Sequence, residues 1–391
     1  MAKTPTTGRR VGVWMIGARG SVSTTSIVGA LALRAGLAEP TGMVTMLPGV
    51  PDGALPALDA LVFAGHDVAD TSIPKHAEEL AHSGVIPLAV ARALAQELAD
   101  VDALVRPGVG AGDSRPQREQ LEQVEQDLRD FREQQRLDQV VVVDVASTEA
   151  PVELSEALSD LGSLEAALAA DDSPLPPSAL YALAAFRTGS PVVAFTPSPG
   201  VRLPAVQQQA EQAGLPYAGT DGKTGETLVK TVLAPMFAMR ALAVRSWSGI
   251  NLLGGGDGQT LADPTVAESK TVSKAAGVAQ ILGGEIPGPV HIDCVPDLGD
   301  WKTAWDHISF EGFLGTRMSM QFTWQGCDSA LAAPLVLDLV RLLAAAQEDD
   351  RVGPQDALGF FFKDPLASQE HRLTEQFAAL RSYCAELEQG A

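Results

Sequence analysis

Eight lysines stand against 20 arginines in this chain, and six of the eight fall between residues 223 and 363: Lys223, Lys230, Lys270, Lys274, Lys302 and Lys363. The same window holds five arginines. Arginine stays charged, whereas a lysine amine sheds its proton when burial or a neighbouring charge shifts it, so it can act as acid or base. Chance clustering in so small a set is the plain alternative. The stretch ESKTVSK (268–274) places Lys270 and Lys274 four residues apart, on one face of a helix. Like charges at that spacing repel, which depresses a pKa unless an anion such as phosphate lies between them. Two solvated helix lysines would show the same spacing.

A second stretch with chemistry in it is GTDGKTGETLVKTVLAPMF (219–237). Small polar residues open it and an apolar helix closes it. Thr224 is placed to cap that helix. The amides of Thr224, Gly225 and Glu226 then lie open to an anion, with Lys223 and Lys230 near and Asp221 just before. An ordinary capped helix after a glycine turn reads the same way. The six histidines show no metal-ligand spacing, and HIDC (291–294) merely puts His291 and Asp293 on one face of a strand.

The elements that must position these residues begin with an apolar strand, VGVWMIG (11–17), a small-residue turn, GARGSVSTT (17–25), and a helix, SIVGALALRAGL (26–37). That is a Rossmann-type opening. The turn departs from G-x-G-x-x-G: Gly17 and Gly20 are present, Arg19 replaces the middle glycine, and Ser23 stands at or beside the third. TGMVTML (41–47) reads as the second strand; no carboxylate ends it, which leaves NAD and NADP undecided. Residues 51–104 read as mixed, with helical character after Lys75, and 106–116 as a loop. Residues 117–136 read as a charged helix whose stripe is Leu121, Val124, Leu128 and Phe131. VVVVDVAST (140–148) and PVVAFTPSPG (191–200) read as buried parallel strands ending in small polar residues. Ligands of such sheets bind beyond the carboxyl ends of the strands, so Gly17, Ser147 and Thr196 are expected to face one crevice. Beyond residue 240 the pattern changes to a second sheet of hairpins and longer connections. An apolar helix (333–347), the segment LGFFFKDP and a terminal helix near 375–388 follow.

Composition sets the limits. The chain has 391 residues, 46% apolar and 20% charged, with a net charge of -21. Such acidity argues against nucleic acid or an anionic membrane as partner, and requires a local positive site for any anionic substrate. Apolar runs break within about 10 residues, short of the ~20 that span a bilayer. MAKTPTTGRR carries no apolar signal segment, and three widely spaced cysteines fit a reducing compartment, so a cytoplasmic setting is expected.

Together these residues resemble the inositol-3-phosphate synthase family, also called myo-inositol-1-phosphate synthase, and its shorter archaeal-type branch in particular. The resemblance covers essentially the whole chain. It rests on WMIGARGSVSTTSIVGA, VDVASTE, FTPSPG, GTDGKTGETLVKTVLAPMFA, ESKTVSK, LGDWKTAWD, GFLG, CDSALAAPLVLDL and FFFKDP in that order. It implies an α/β fold: a doubly wound parallel sheet formed by 1–228 and 332–391, with an inserted α+β domain for catalysis and tetramerisation at 229–331. It implies NAD-dependent oxidation of glucose 6-phosphate at C5, enolisation at C6, aldol closure onto C1 and re-reduction. The product is 1D-myo-inositol 3-phosphate (1L-myo-inositol 1-phosphate), an entry point to inositol and phospholipid synthesis.

By the same resemblance, Lys270, Lys274, Lys302, Lys363, Asp221 and Asp328 match catalytic positions. Thr224, Gly225, Glu226 and Lys274 match the phosphate site. Gly17, Ala18, Arg19, Gly20, Ser21, Val22, Ser147, Thr148, Pro197 and Asp257 match cofactor positions. LGGGDG (253–258) lacks the Asn or Asp that precedes the family's aspartate, and the implied cation is either a divalent metal or a monovalent ion such as ammonium. An ordinary NAD(P)-dependent dehydrogenase of a phosphorylated sugar, with net redox, is the competing reading.

Overall fold

The computed structural model describes residues 9–110, 112–254 and 277–390. Lys270, Lys274 and Asp257 therefore lie outside the described residues. Seven strands form the main sheet: β1 (Val11–Ile16), β2 (Leu61–Asp67), β3 (Val105–Pro107), β4 (Gln139–Asp144), β5 (Val192–Ala194), β6 (Pro216–Gly219) and β11 (Gly353–Pro354). A second sheet comprises β7 (Ala243–Leu253), β8 (Val290–Cys294), β9 (Trp301–Glu311) and β10 (Arg317–Cys327). The main sheet runs β11-β6-β5-β4-β1-β2-β3, and every pairing in it is parallel.

The apolar runs explain that sheet. A parallel sheet covered by helices on both faces needs apolar side chains on both. Val11, Val13 and Met15 of β1, with Val141 and Val143 of β4, enter one core layer with the helices Ser21–Arg34 and Asp328–Glu348. Trp14 and Ile16, with Val140 and Val142, enter the other, covered by Gln117–Gln134, Pro177–Arg187 and Pro204–Ala213. The helix Asp328–Glu348 is apolar and long enough to cross a bilayer, yet 78% of its most apolar window is buried inside the protein. It is a core helix.

The second strand lies elsewhere than expected. Residues 41–47 form no strand: Val44–Met46 is a single 3-10 turn. Its amides are claimed from far along the chain, since Asp338 on the core helix accepts Val44 N–H at 2.6 Å and Thr45 N–H at 3.3 Å. The strand beside β1 is Leu61–Asp67, in register from Val11↔Leu61 to Ile16↔His66. Gly65 permits that approach, because a Cβ there would stand 2.1 Å from Met15 O.

In the second sheet, β9 and β10 make a hairpin, β7 pairs antiparallel with β9, and β8 pairs parallel with β7. The terminal helix Leu373–Gly390 closes the fold. Its Gln376 accepts from the Lys223 ammonium and donates to Gly359 O at 3.1 Å and Glu370 O at 2.5 Å. Lys223 is 4% exposed, and its Nζ lies 5.8 Å from the Phe360 ring centre.

Burial pushes Lys223 down to about 7 from its ordinary 10.5. The folded protein thus releases this proton before the unfolded chain does. The cost of burying the ammonium is full below pH 7 and fades as pH rises from about 7 to 10.5. Lys223→Met removes that term, so its stability relative to wild type is expected to be greater at pH 6 than at pH 10. Unfolding midpoints of both proteins across that range measure the slope; a pH-independent difference would contradict the burial argument.

Candidate active site

The carboxyl ends of β1, β4, β5 and β6 lie side by side, and the chain order reverses between β1 and β4. A crevice opens at such a reversal. Gly17 leaves β1 with φ 83°, and a Cβ there would lie 3.0 Å from Ala146 Cα beyond β4. Asp221 N–H, after β6, reaches Thr196 O, after β5, at 3.3 Å. The three strand ends expected to share a crevice do so.

The turn between β1 and the first helix is held by its own hydrogen bonds and leaves the first helical amides open. Gly17 and Ala18 donate to His66 O at 3.0 and 3.1 Å, and Ser23 Oγ donates to Gly17 O at 2.7 Å. The amides of Ser21, Val22 and Ser23, at the start of the helix Ser21–Arg34, have no acceptor among the described residues. Open amides at the positive end of a helix suit a pyrophosphate. Arg19 does not lie across that position. Its Nε donates to Asp102 Oδ1 at 2.9 Å and its Nη1 to Ala69 O at 2.8 Å. Ser21 Oγ donates to Asp300 Oδ1 at 2.9 Å, which ties the turn to the residue before β9.

Asp67 was missed by sequence reasoning, and it corrects the expectation that no carboxylate ends the second strand. It closes the true β2 and accepts Arg19 N–H at 2.6 Å and Ala69 N–H at 2.7 Å. A carboxylate there is where this architecture reads ribose hydroxyls. With the open amides it makes the turn fit a dinucleotide. Beyond β4, Ser147 is exposed and Thr148 half-buried, and neither hydroxyl has a partner among the described residues. Pro197 is half-buried beyond β5, beside Ser198, whose Oγ accepts Glu149 N–H at 3.1 Å. Burial, and then the charge of Glu149, push Asp144 at the end of β4 up to about 7.

Next to this crevice two ammonium–carboxylate pairs form across the chain. Lys363 Nζ donates to Asp221 Oδ1 at 2.8 Å, and Lys363 N–H to Asp221 O at 2.7 Å. Asp221 takes a left-handed conformation, φ 61°, which costs a non-glycine residue about 1 kcal/mol or more and tends to mark functional sites. Lys302, on β9, donates to Asp328 Oδ2 at 3.2 Å. Asp328 opens the core helix, where the helix dipole favours a carboxylate. Burial raises the proton affinity of Asp328, but Lys302 and Lys363, with hydrogen bonds from Lys302 and Thr224, outweigh it and hold the group below its ordinary value.

Thr224 does not cap its helix as expected. Its hydroxyl donates to Asp328 Oδ1 at 3.0 Å instead, because that carboxylate is within reach and charged. The Thr224 amide is not open as expected, since it donates to Gly222 O at 3.2 Å, while the amides of Gly225 and Thr227 have no acceptor among the described residues. The first backbone bond of the helix Gly225–Met239 is Leu228 N–H to Thr224 O, 3.2 Å. Gly225 is required there: a Cβ would stand 3.0 Å from Trp324 Nε1 and 3.4 Å from Asp328 Oδ1.

The structure thus brings together Asp221, Thr224, Gly225, Lys302, Asp328 and Lys363. Lys223 and Lys230 are buried beside them but engaged elsewhere, Lys223 with Gln376 and Lys230 with Glu226 and Asp306. His291 and Asp293 are both exposed on β8. Among the described residues no three His, Cys, Asp or Glu side chains group as a metal site.

Known proteins give the comparison. A family model described as myo-inositol-1-phosphate synthase matches residues 11–384. Inositol-3-phosphate synthase 1 of Bacteroides thetaiotaomicron is 35% identical, over 94% of this chain and 92% of its own. Inositol-3-phosphate synthase of Spirodela polyrhiza is 29% identical, over 94% and 80%. The structure of inositol-3-phosphate synthase from Caenorhabditis elegans superposes with a TM-score of 0.88 at 21% identity, covering 98% of this chain and 86% of that one. A myo-inositol-1-phosphate synthase-related protein from Thermotoga maritima gives 0.76 at 23% identity, covering 96% and 99%. These two structures bear on the fold, which is α/β with a Rossmann-type sheet, and the sequence matches carry the family. The chain belongs to the myo-inositol-1-phosphate synthase family.

Proposed function

We propose that this protein converts D-glucose 6-phosphate to 1D-myo-inositol 3-phosphate, an isomerisation with internal redox. The observation that carries the reading is the pairing of Lys363 with Asp221 and of Lys302 with Asp328 beside a dinucleotide-type turn. A net dehydrogenase needs one base; closing a sugar into a ring needs proton transfer at one carbon and charge stabilisation at another.

NAD+, when bound, would supply hydride acceptance from C5 and hydride return at the end of the cycle. The turn Gly17–Gly20 would present the open amides of Ser21, Val22 and Ser23 to its pyrophosphate, with Arg19 engaged by Asp67 and Asp102; Asp67 would hold its ribose, and Ser147, Thr148 and Pro197 its nicotinamide side, with Asp257 as a further cofactor contact. The substrate phosphate would sit at the turn Thr224, Gly225 and Glu226, on the open amides of Gly225 and Thr227, with Lys274 adding charge. Lys363, oriented by Asp221, and Lys274 move the C5 and C6 protons. Lys302, with Asp328 ionised behind it, polarises the C1 oxygen as the new bond forms, and Lys270 is a further catalytic lysine. Each positive group works against a chain of net charge -21, so a phosphorylated substrate is drawn to this one place.

The same reading makes the enzyme a cytoplasmic homotetramer. The 11-residue edge strand β10 and the exposed Phe313 and Leu314 at the β9–β10 turn, 89% and 87% accessible, support association through the second sheet.

With glucose 6-phosphate and substoichiometric NAD+, inositol phosphate is expected to exceed the cofactor many times over. Reduced cofactor accumulating one-for-one with product would instead make the protein a net dehydrogenase. Lys363→Ala is expected to lower kcat by about 10²–10⁴-fold while the NAD+ dissociation constant, measured by fluorescence titration, changes little. Near-normal turnover in that variant would remove Lys363 from the proton-transfer steps.

A further inference from the structure

The helix Gly225–Met239 begins at the phosphate turn, and its second residue is a glutamate. An anion on the open amides and a carboxylate on the same turn repel each other. The fold turns that charge inward. Glu226 is 1% exposed, and the Lys230 ammonium, one helical turn on, bridges to it. Lys230 also reaches Asp306 Oδ1, on β9, at 3.2 Å. Asp306 is fully buried, and the same oxygen accepts Trp247 Nε1–H from β7 at 2.7 Å. Gly249 on β7 leaves room for this meeting: a Cβ there would stand 3.3 Å from Asp306 Oδ1 and 3.6 Å from Glu226 Oε1. Burial raises Asp306 above its ordinary value, with Lys230 pulling it down and Glu226 pushing it up.

Side chains alternate along a strand, so residues four apart on β9 share a face. Asp306 and Lys302 are such a pair, and Lys302 is the residue that β9 delivers to Asp328. β9 is paired with β7 and β10 on its two sides, and Trp247 also holds Asp306, so Lys302 keeps its place without Lys230. Fully ionised, Glu226, Lys230 and Asp306 sum to one negative charge; without Lys230 they sum to two.

We propose that Lys230 is a positioning residue for the substrate phosphate. By neutralising Glu226 it lets the turn accept a dianion, while Trp247 keeps its own hold on Asp306. It takes no part in proton transfer. The inference rests on reading the turn as the phosphate site of glucose 6-phosphate.

The test compares wild type, Lys230→Gln and Lys230→Gln/Glu226→Gln, all with NAD+ present. Steady-state kinetics use glucose 6-phosphate, and calorimetric titration uses inorganic phosphate. In Lys230→Gln the extra negative charge is expected to raise KM and the phosphate Kd about tenfold, with kcat changed less than about threefold and NAD+ affinity within about twofold. The double variant restores the starting net charge and is expected to recover KM to within about threefold of wild type. An unchanged KM in folded Lys230→Gln, or a double variant no better than the single, overturns the proposal. Should Lys230→Gln fail to fold, Glu226→Gln decides. It makes the cluster one unit more positive and is expected to tighten phosphate about threefold; unchanged or weaker binding overturns the proposal. A wild-type protein that makes no inositol phosphate would overturn the catalytic reading instead, and the phosphate titrations then judge Lys230 on their own.

Discussion

The pair between Lys363 and Asp221 is the contact on which the site depends. It joins residues 142 apart in sequence, and it is doubled, since the Lys363 amide also donates to Asp221 O at 2.7 Å. The segment that carries Lys363 is held along its length: Lys223 N–H donates to Phe361 O at 2.8 Å, and Gly222 bridges Phe362. The last part of the chain is thereby stitched to the turn after β6. Without that seam Asp221 would lose its cation and the crevice one wall.

Charge is what makes the seam more than packing. A partly buried pair has to offset the partial desolvation of both ions, and it does so with good geometry and further hydrogen bonds. The pairs here meet that condition by sharing. Asp328 receives Lys302 on one oxygen and Thr224 on the other, and feels Lys363 as well. The result is a small region where cations are held in place within a strongly acidic protein. Preorganised charge of this kind needs no rearrangement when an oxyanion forms beside it.

How far the residue pattern reveals this structure depends on the range of the interactions involved. β1 and β4 are legible because a buried parallel strand is an unbroken apolar run, and both runs are that. The stripe Leu121, Val124, Leu128 and Phe131 is legible because helical periodicity is local, and all four side chains are buried. Residues 41–47 mislead because they are apolar enough for a strand, while what keeps them out of the sheet is Asp338, nearly 300 residues away. That error hid Asp67, the carboxylate that matters for a dinucleotide. Thr224 misleads in the same way: a cap is the local expectation, and Asp328 is the distant competitor that wins its hydroxyl.

The lysines divide along the same line. Their enrichment between 223 and 363 points to chemistry, and Lys302 and Lys363 each pair with a carboxylate, Asp328 and Asp221. Yet Lys223 and Lys230, in the glycine-opened stretch 219–237, face inward. An amine beside an anion site has two ways to matter. It can meet the anion, or it can cancel a carboxylate that would repel the anion. Sequence spacing cannot separate them, because Glu226 and Lys230 at four residues apart would pair equally well on a solvated helix face. Burial separates them: once Glu226 and Lys230 are shut away from water with Asp306, their charges are screened by protein rather than solvent, and they act on the turn above them at full strength.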